Sequence, residues 1–298
     1  MKRAAAALAL MLTGVPAMAA PMTYAEFQAK VAQPPAPGPI LSYGADPLQH
    51  VELWKPAGTG RFPVVLMIHG GCWQTAVAKA DIMHALAANL VKRGIAVWNV
   101  EYRGVDVAGG GYPGTFRDVA AAADMLGRDG AKLGLDTTRV VAVGHSAGGH
   151  LALWLAARPR IAKGSVLWSA HPLPIAGVLS QGGLPDLAQA KAEAAEACGA
   201  DTVDRLVGAP TKAHPDVYAD TSPAAMAPIG TSQHLVAGAE DVISPPRFSL
   251  AYFDRIKGER GNSVWVVPGS GHFELISPGT QAWEHQLGTI EMMFDRKP

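Results

Sequence analysis

Only two of the 298 residues, Cys72 and Cys198, are cysteines, and no C-x-x-C pair occurs. That removes support for a structural zinc site. Net charge is missing as well, because 25 Lys and Arg balance 25 Asp and Glu. Nothing in that balance points to nucleic acid, an acidic polymer or an anionic membrane surface as a partner. Charged residues are scarce at 17%, below the roughly 25% of ordinary soluble domains. Internal repeats and low-complexity linkers are absent, and past the first twenty residues no apolar run is long enough to span a bilayer. What is present is 49% apolar residue content with frequent Gly and Pro. Such a chain is globular rather than disordered, with many tight connections and a mostly apolar binding region. Its length allows one or two domains; one domain carrying an insertion fits the pattern better.

The N-terminus reads as a targeting segment. Lys2 and Arg3 precede an apolar run over 4–12, and Ala17-Met18-Ala19 is an A-x-A cleavage site. Residues 1–19 are therefore expected to be a signal peptide, cleaved after Ala19, and the mature protein to be exported, periplasmic or secreted, without membrane insertion. No cysteine follows the cleavage site, so lipid anchoring is not expected. Residues 20–41 form a Pro- and Ala-rich lead-in arm with a short helix predicted over 24–32. An exported protein could oxidise Cys72 and Cys198 to a bridge. The sequence does not bring Cys198 near Cys72, so the reading favours two separate thiols.

From residue 42 onward strands and helices alternate. Edge strands are predicted at 42–46 and 50–54, and a strand buried on both faces at 63–68. A helix over 77–92, a strand over 95–102, a helix over 115–126, a strand over 140–144 and a helix ending at Pro159 follow, with another strand at 165–169. Alternation of this kind implies right-handed crossovers and a mainly parallel, doubly wound sheet with helices on both faces, an α/β fold. Between 170 and 230 no comparable strand is read, only prolines and a charged helix over 185–197. So long a connection between core strands is usually functional and is read as a cap insertion over the C-terminal edge of the sheet. The sheet resumes with strands at 233–237 and 263–267 and helices at 247–257 and 281–294. The glycine-rich run 109–114 lacks a Gly-Lys-Ser/Thr and reads as a mobile loop beside the pocket, not a phosphate cradle.

Chemistry concentrates at Gly144-His145-Ser146-Ala147-Gly148, which sits between a buried strand and a helix. That is the context of a nucleophile elbow, in which the two glycines let strand and helix approach closely. A serine needs a base, and the base an orienting acid. His272, framed by glycines just past the last strand, is the candidate base. Asp241 is the candidate acid, with Glu240 its competitor; Gly238 and Pro245 around it favour Asp241. Of the other histidines, His69 reads as orienting its loop and His150 as packed against the sheet. Backbone amides of Gly71, Cys72 and Ala147 could hold a carbonyl oxyanion, each worth about 3 kcal/mol of barrier. Trp73 and Trp168 are candidate lining of the substrate pocket, with core packing equally open.

His69-Gly70-Gly71-Cys72-Trp73, Gly144-His145-Ser146-Ala147-Gly148-Gly149, Asp241 and Gly271-His272-Phe273-Glu274 together resemble the α/β-hydrolase superfamily. Within it the chain is similar to the esterase/lipase branch of small carboxylesterases and kynurenine formamidases (arylformamidases). The resemblance covers roughly residues 42–294, and Glu101-Tyr102-Arg103 is similar to a turn that supports the site in that branch. It implies an α/β-hydrolase fold and a serine esterase acting on a small acyl ester, with an aryl formamide as the alternative substrate. It calls for no metal and no organic cofactor, and does not indicate an oligomeric state.

Overall fold

Runs of Val, Ile, Leu and Ala with hardly a polar residue build the centre of one sheet, as expected for strands covered on both faces. In chain order the strands are β1 (Ile40–Ser42), β2 (His50–Trp54), β3 (Phe62–Ile68) and β4 (Ala96–Val100). They continue with β5 (Leu135–His145), β6 (Gly177–Gln181), β7 (Ser232–Gly238) and β8 (Ser263–Val267). In the computed structural model, which describes residues 20–31 and 36–295, the sheet order is β1-β2-β4-β3-β5-β6-β7-β8. The β1–β2 and β2–β4 pairs are antiparallel and all others parallel. The expected signal segment, 1–19, lies outside the described residues.

The first helices are α1 (Tyr24–Lys30), α2 (His84–Lys92), α3 (Gly114–Asp129) and α4 (Ala147–Ala157). Four short ones follow, α5 (Leu187–Glu193), α6 (Ala195–Cys198), α7 (Thr202–Val207) and α8 (Pro223–Met226). Two longer ones, α9 (Arg247–Ile256) and α10 (Gln281–Asp295), complete the set. Strand alternation sorts the core into two layers. Val64, Leu66 and Ile68 of β3 face the layer that holds Phe116 of α3, Leu151 of α4 and Phe248 of α9. Val65 and Met67 face the layer that holds Leu90 of α2 and Trp283 and Ile290 of α10. Helix α4 is apolar all round but for His150, and every one of its residues is buried, as a helix without a polar face must be.

Three expectations are corrected. Residues 165–169 are not a strand: Val166 and Trp168 are 54% and 40% exposed. The strand beside β5 is instead β6, inside the stretch read as strandless. Its C-terminal half, Ser180-Gln181, is polar yet fully buried, because Gln181 donates to the Leu275 carbonyl (3.0 Å) and to Gln286 Oε1 (2.6 Å). The insertion between β6 and β7 thus runs over residues 182–231 and carries α5 to α8. The glycine-rich run does not line the cavity, and it is closely packed at Gly110, where a Cβ would meet the Gly104 carbonyl oxygen at 1.7 Å. Tyr112 of that run stacks on His214 of the insertion at 4.4 Å between ring centres. The arm, too, is docked. Phe27 of α1 is fully buried and stacks on Phe273 at 5.5 Å.

His150 of α4 joins the insertion to the sheet layer. Its Nδ1 accepts from Trp73 Nε1 (3.2 Å) and its Nε2 donates to the Thr221 carbonyl (2.8 Å). Those two partners specify a neutral imidazole with the proton on Nε2. Burial drives its pKa down to about 4 from 6.5, against the Thr221 hydrogen bond, which pushes it up. Below pH 6.5 the unfolded chain binds a proton here that the folded chain refuses, so stability falls as pH drops from 6.5 toward about 4. Urea unfolding across that interval should show the loss, and a His150→Gln variant should show a shallower pH slope than the wild type.

Candidate active site

The C-terminal ends of β3, β4, β5, β7 and β8 deliver their loops to one edge of the sheet, where open parallel sheets place their ligands. Ser146 follows β5 directly with φ 53° and ψ −120°, a conformation that costs a non-glycine residue about 1–3 kcal/mol. Its surroundings leave it no other. The Ser146 amide donates to the Gln181 carbonyl at the end of β6 (2.8 Å). Its carbonyl accepts from the amides of Gly149 (2.9 Å) and His150 (3.2 Å). The turn closes because a Cβ on Gly144 would sit 2.0 Å from the Gly148 oxygen, and one on Gly148 would sit 2.1 Å from the Ile68 oxygen. Ser146 therefore stands at the N-terminus of α4, at the positive end of that helix's dipole.

His272 and Asp241 meet from the loops after β8 and β7. His272 Nδ1 lies 2.6 Å from Asp241 Oδ2, and both side chains are nearly inaccessible. The other Asp241 oxygen accepts from the amides of Ile243 (2.9 Å) and Ser244 (2.8 Å). A carboxylate held at both oxygens fixes the proton on Nδ1 and leaves Nε2 of the ring for another partner. Glu240 is turned away and accepts from the Gly269 amide (3.3 Å). The neighbouring His145 donates from Nε2 to the His272 carbonyl (3.1 Å), with ring centres 4.3 Å apart. Burial first, then the adjacent His272, push its pKa well below the usual histidine value, so His145 adds no charge to the site.

The loop after β3 brings Gly71 and Cys72 to the same cavity as Ser146 and His272. Among the described residues the amides of Gly71, Cys72 and Ala147 donate to no protein acceptor. Cys72 and Trp73 both have positive φ, 53° and 54°. From below, the loop is held by a buried polar network. Both ring nitrogens of His69 face acceptors, Gly70 O (2.7 Å) and Glu101 Oε1 (3.1 Å), and the ring stacks on Tyr102 at 4.4 Å. Burial raises the Glu101 pKa, but the His69 charge and hydrogen bond and the amides of Ala80 and Tyr102 outweigh it and hold the carboxyl below its usual range. Tyr102 donates to the His69 carbonyl (3.1 Å), and Arg103 reaches Asp118 with its amide (3.1 Å), Nε (2.8 Å) and Nη2 (2.7 Å). Glu101-Tyr102-Arg103 thus has supporting contacts and no place in the cavity.

The cavity holds about 230 Å³, and its apolar wall includes Tyr24, Val77, Ile82, Ala197, Ile243 and Phe273. Neither tryptophan expected there lines it. Trp73 is fully buried beneath the loop and bonds to His150, while Trp168 is 40% exposed, with Lys163 Nζ 6.0 Å from its ring centre. An indole N–H is used where it finds an acceptor, and for Trp73 that acceptor lies in the core. Tyr24, Ala197, Ile243 and Phe273 escaped the sequence reading. The aromatic pair Tyr24 and Phe27 in an otherwise small-residue arm was the available signal that the arm docks. The expectation of separate thiols is also corrected, because Cys72 and Cys198 form a disulfide with Cα atoms 5.3 Å apart across 126 residues of sequence. The fold of the insertion, invisible to local pattern, makes that approach.

A family model described as BD-FAE matches residues 51–253. Carboxylesterase NlhH of Mycobacterium tuberculosis is 33% identical over 110 residues, 35% of this chain and 31% of that protein. The chain thus matches about a third of the length of that curated relative. Among solved structures, esterase B from Lactobacillus rhamnosis, inhibited by a C6-C4 SN3 compound, superposes with a TM-score of 0.73 at 21% identity, covering 90% of this chain and 92% of that one. A truncated carbohydrate esterase from gut microbiota gives a TM-score of 0.71 at 21% identity, covering 88% and 98%. At that identity the likeness shows the fold, which is the α/β-hydrolase fold.

The elbow makes one steric demand that can be measured. A Gly148→Ala substitution drives a methyl into the β3 backbone, which cannot rotate away as a side chain could. The expected cost exceeds about 3 kcal/mol, read as a lowered urea midpoint, and activity should be lost even in molecules that remain folded.

Proposed function

Because the chain belongs to the BD-FAE family of α/β-hydrolase type, we propose that it is an exported serine hydrolase that cleaves small carboxylic esters through an acyl-serine intermediate. The observation that carries this reading is the Asp241–His272 pair, closed at 2.6 Å on the cavity that Ser146 also lines. His272 Nε2 takes the proton of Ser146 Oγ as the oxygen attacks the acyl carbon. Asp241 keeps the proton on Nδ1 and stabilises the imidazolium. Charge that develops on the carbonyl oxygen is met by the amides of Gly71, Cys72 and Ala147, fixed donors that need no reorganisation. His272 then returns its proton to the leaving alcohol, and the same histidine activates water to release the acid. His145 matters here because a neutral neighbour does not repel the imidazolium.

The size of the cavity supports a small substrate, since about 230 Å³ lies below the 300–1,000 Å³ of ordinary ligand pockets. Its apolar wall favours an alkyl or aryl group over a charged one. The disulfide supports export, because such bonds persist in oxidising compartments and are rare in the cytosol.

Replacing Ser146 by Ala should abolish hydrolysis of p-nitrophenyl acetate, by up to about a millionfold as in comparable knockouts; retention of more than about a thousandth would sink the nucleophile assignment. In the wild type, kcat/KM for p-nitrophenyl acetate and butyrate should exceed that for the octanoate by at least about tenfold, given 1–3 kcal/mol per methylene. N-formylkynurenine turned over faster than either short ester would instead select the formamide reading.

A further inference from the structure

The loop that presents the proposed oxyanion donors has a structural problem at its centre. Its flanks are secured: His69 by Glu101 and Tyr102, Trp73 by its buried indole and by the Val105 amide on its carbonyl (2.7 Å). Thr75 and Ala76 donate their amides to Asp106 (2.7 and 2.9 Å). Between those flanks, the amides of Gly71 and Cys72 must remain unpaired to receive a substrate oxygen, so no backbone hydrogen bond donated there can hold them. Cys72 also has φ 53°, which a non-glycine residue keeps only when its surroundings over-determine it. What its side chain is bonded to is Cys198, at the end of α6. That end is itself fixed: the Cys198 carbonyl accepts from Thr202 Oγ1 (2.6 Å) and from Gln74 Nε2 (2.9 Å). Two ties, one covalent, therefore join the same loop to the same turn of the insertion.

We propose that the Cys72–Cys198 disulfide positions the oxyanion loop for acyl transfer, and that Cys198 is a positioning residue although it touches no reacting atom. This rests on the ester-hydrolase reading above. Reduction by a dithiol would transfer two electrons and two protons to the bridge, leave two thiols, and oxidise the reductant to its own disulfide. The amides would remain but would no longer be held at the productive position, so the loss falls on the transition state rather than on ground-state binding.

The test compares oxidised wild type, wild type reduced with dithiothreitol (two thiols titrated per chain) and Cys198→Ser, all with p-nitrophenyl acetate. Ser146→Ala in the oxidised form is the control for the underlying reading. With oxidised enzyme active and Ser146→Ala inactive, that reading stands whatever the bridge does. The proposal then expects kcat to fall by about 10- to 100-fold on reduction, less than the 10²–10³ of losing a donor outright, with KM changed by less than about twofold. Cys198→Ser should match the reduced enzyme and be insensitive to dithiothreitol, and reoxidation should restore only the wild type. Rates are taken per molecule retaining native near-ultraviolet circular dichroism, which separates positioning from a plain staple. A reduced enzyme with kcat per folded molecule unchanged overturns the proposal, as does a loss confined to KM. Should Cys198→Ser fail to fold, the reduced and reoxidised wild type decide alone.

Discussion

The close approach of α4 to the ends of β3 and β5 is the constraint on which the site depends. Two glycines let backbone oxygens come within 2.0–2.1 Å of where a Cβ would stand, and a helix that near the sheet is apolar on every side except where a polar group such as His150 finds buried partners. All of α4 is buried. Three consequences follow from that single contact. Ser146 is forced into a conformation it would not choose, the amide at the helix start is left without an intrahelical acceptor, and Ser146 lines the cavity. The compensation comes from β6, whose last carbonyl accepts the Ser146 amide.

Around this contact the polar residues divide into those that reach the cavity and those that hold the others in place. His69, Glu101, Tyr102, Arg103 and Asp118 lie below the loop after β3 and pair with one another or with backbone, which is the condition for burying charge without a large penalty. His145 performs the same service for His272 by gripping its carbonyl. Because burial keeps His145 and His150 neutral, charge in the centre of the molecule is confined to groups with an opposite partner. The arm and the insertion then close the apolar side, with Tyr24 of α1 and Ala197 of α6 on the cavity wall.

Much of this was legible without a structure because its signals are local. A strand buried on both faces shows as an unbroken apolar run, a nucleophile elbow as glycines two residues either side of a serine, and a loop that must deliver an imidazole as a histidine framed by glycines after the last strand. Asp241 could be preferred to Glu240 from its neighbours alone, and the structure places Asp241, not Glu240, against His272. The failures share a different character. β6 was missed because its polar end looks exposed until Leu275 and Gln286, about a hundred residues away, supply the partners of Gln181. Residues 165–169 carry a short apolar Val-Leu-Trp run like a strand but pair with no strand of the sheet.

Trp73 and Trp168 show the same limit from the side of the pocket. Nothing local tells an indole that bonds to His150 from one that lines a cavity, or from one that lies on the surface beside a lysine. The disulfide is the extreme case, with 126 residues separating its cysteines. By itself the sequence determined most of the strands and helices, the glycine-flanked turn at Ser146 and the pairing of Asp241 with His272, since backbone sterics and burial periodicity act over a few residues. Only the tertiary structure decided what surrounds them: the strand that holds Ser146, the arm and insertion that wall the cavity, and the disulfide on the loop after β3. Those depend on which distant segments meet, and that is settled by packing of the whole chain.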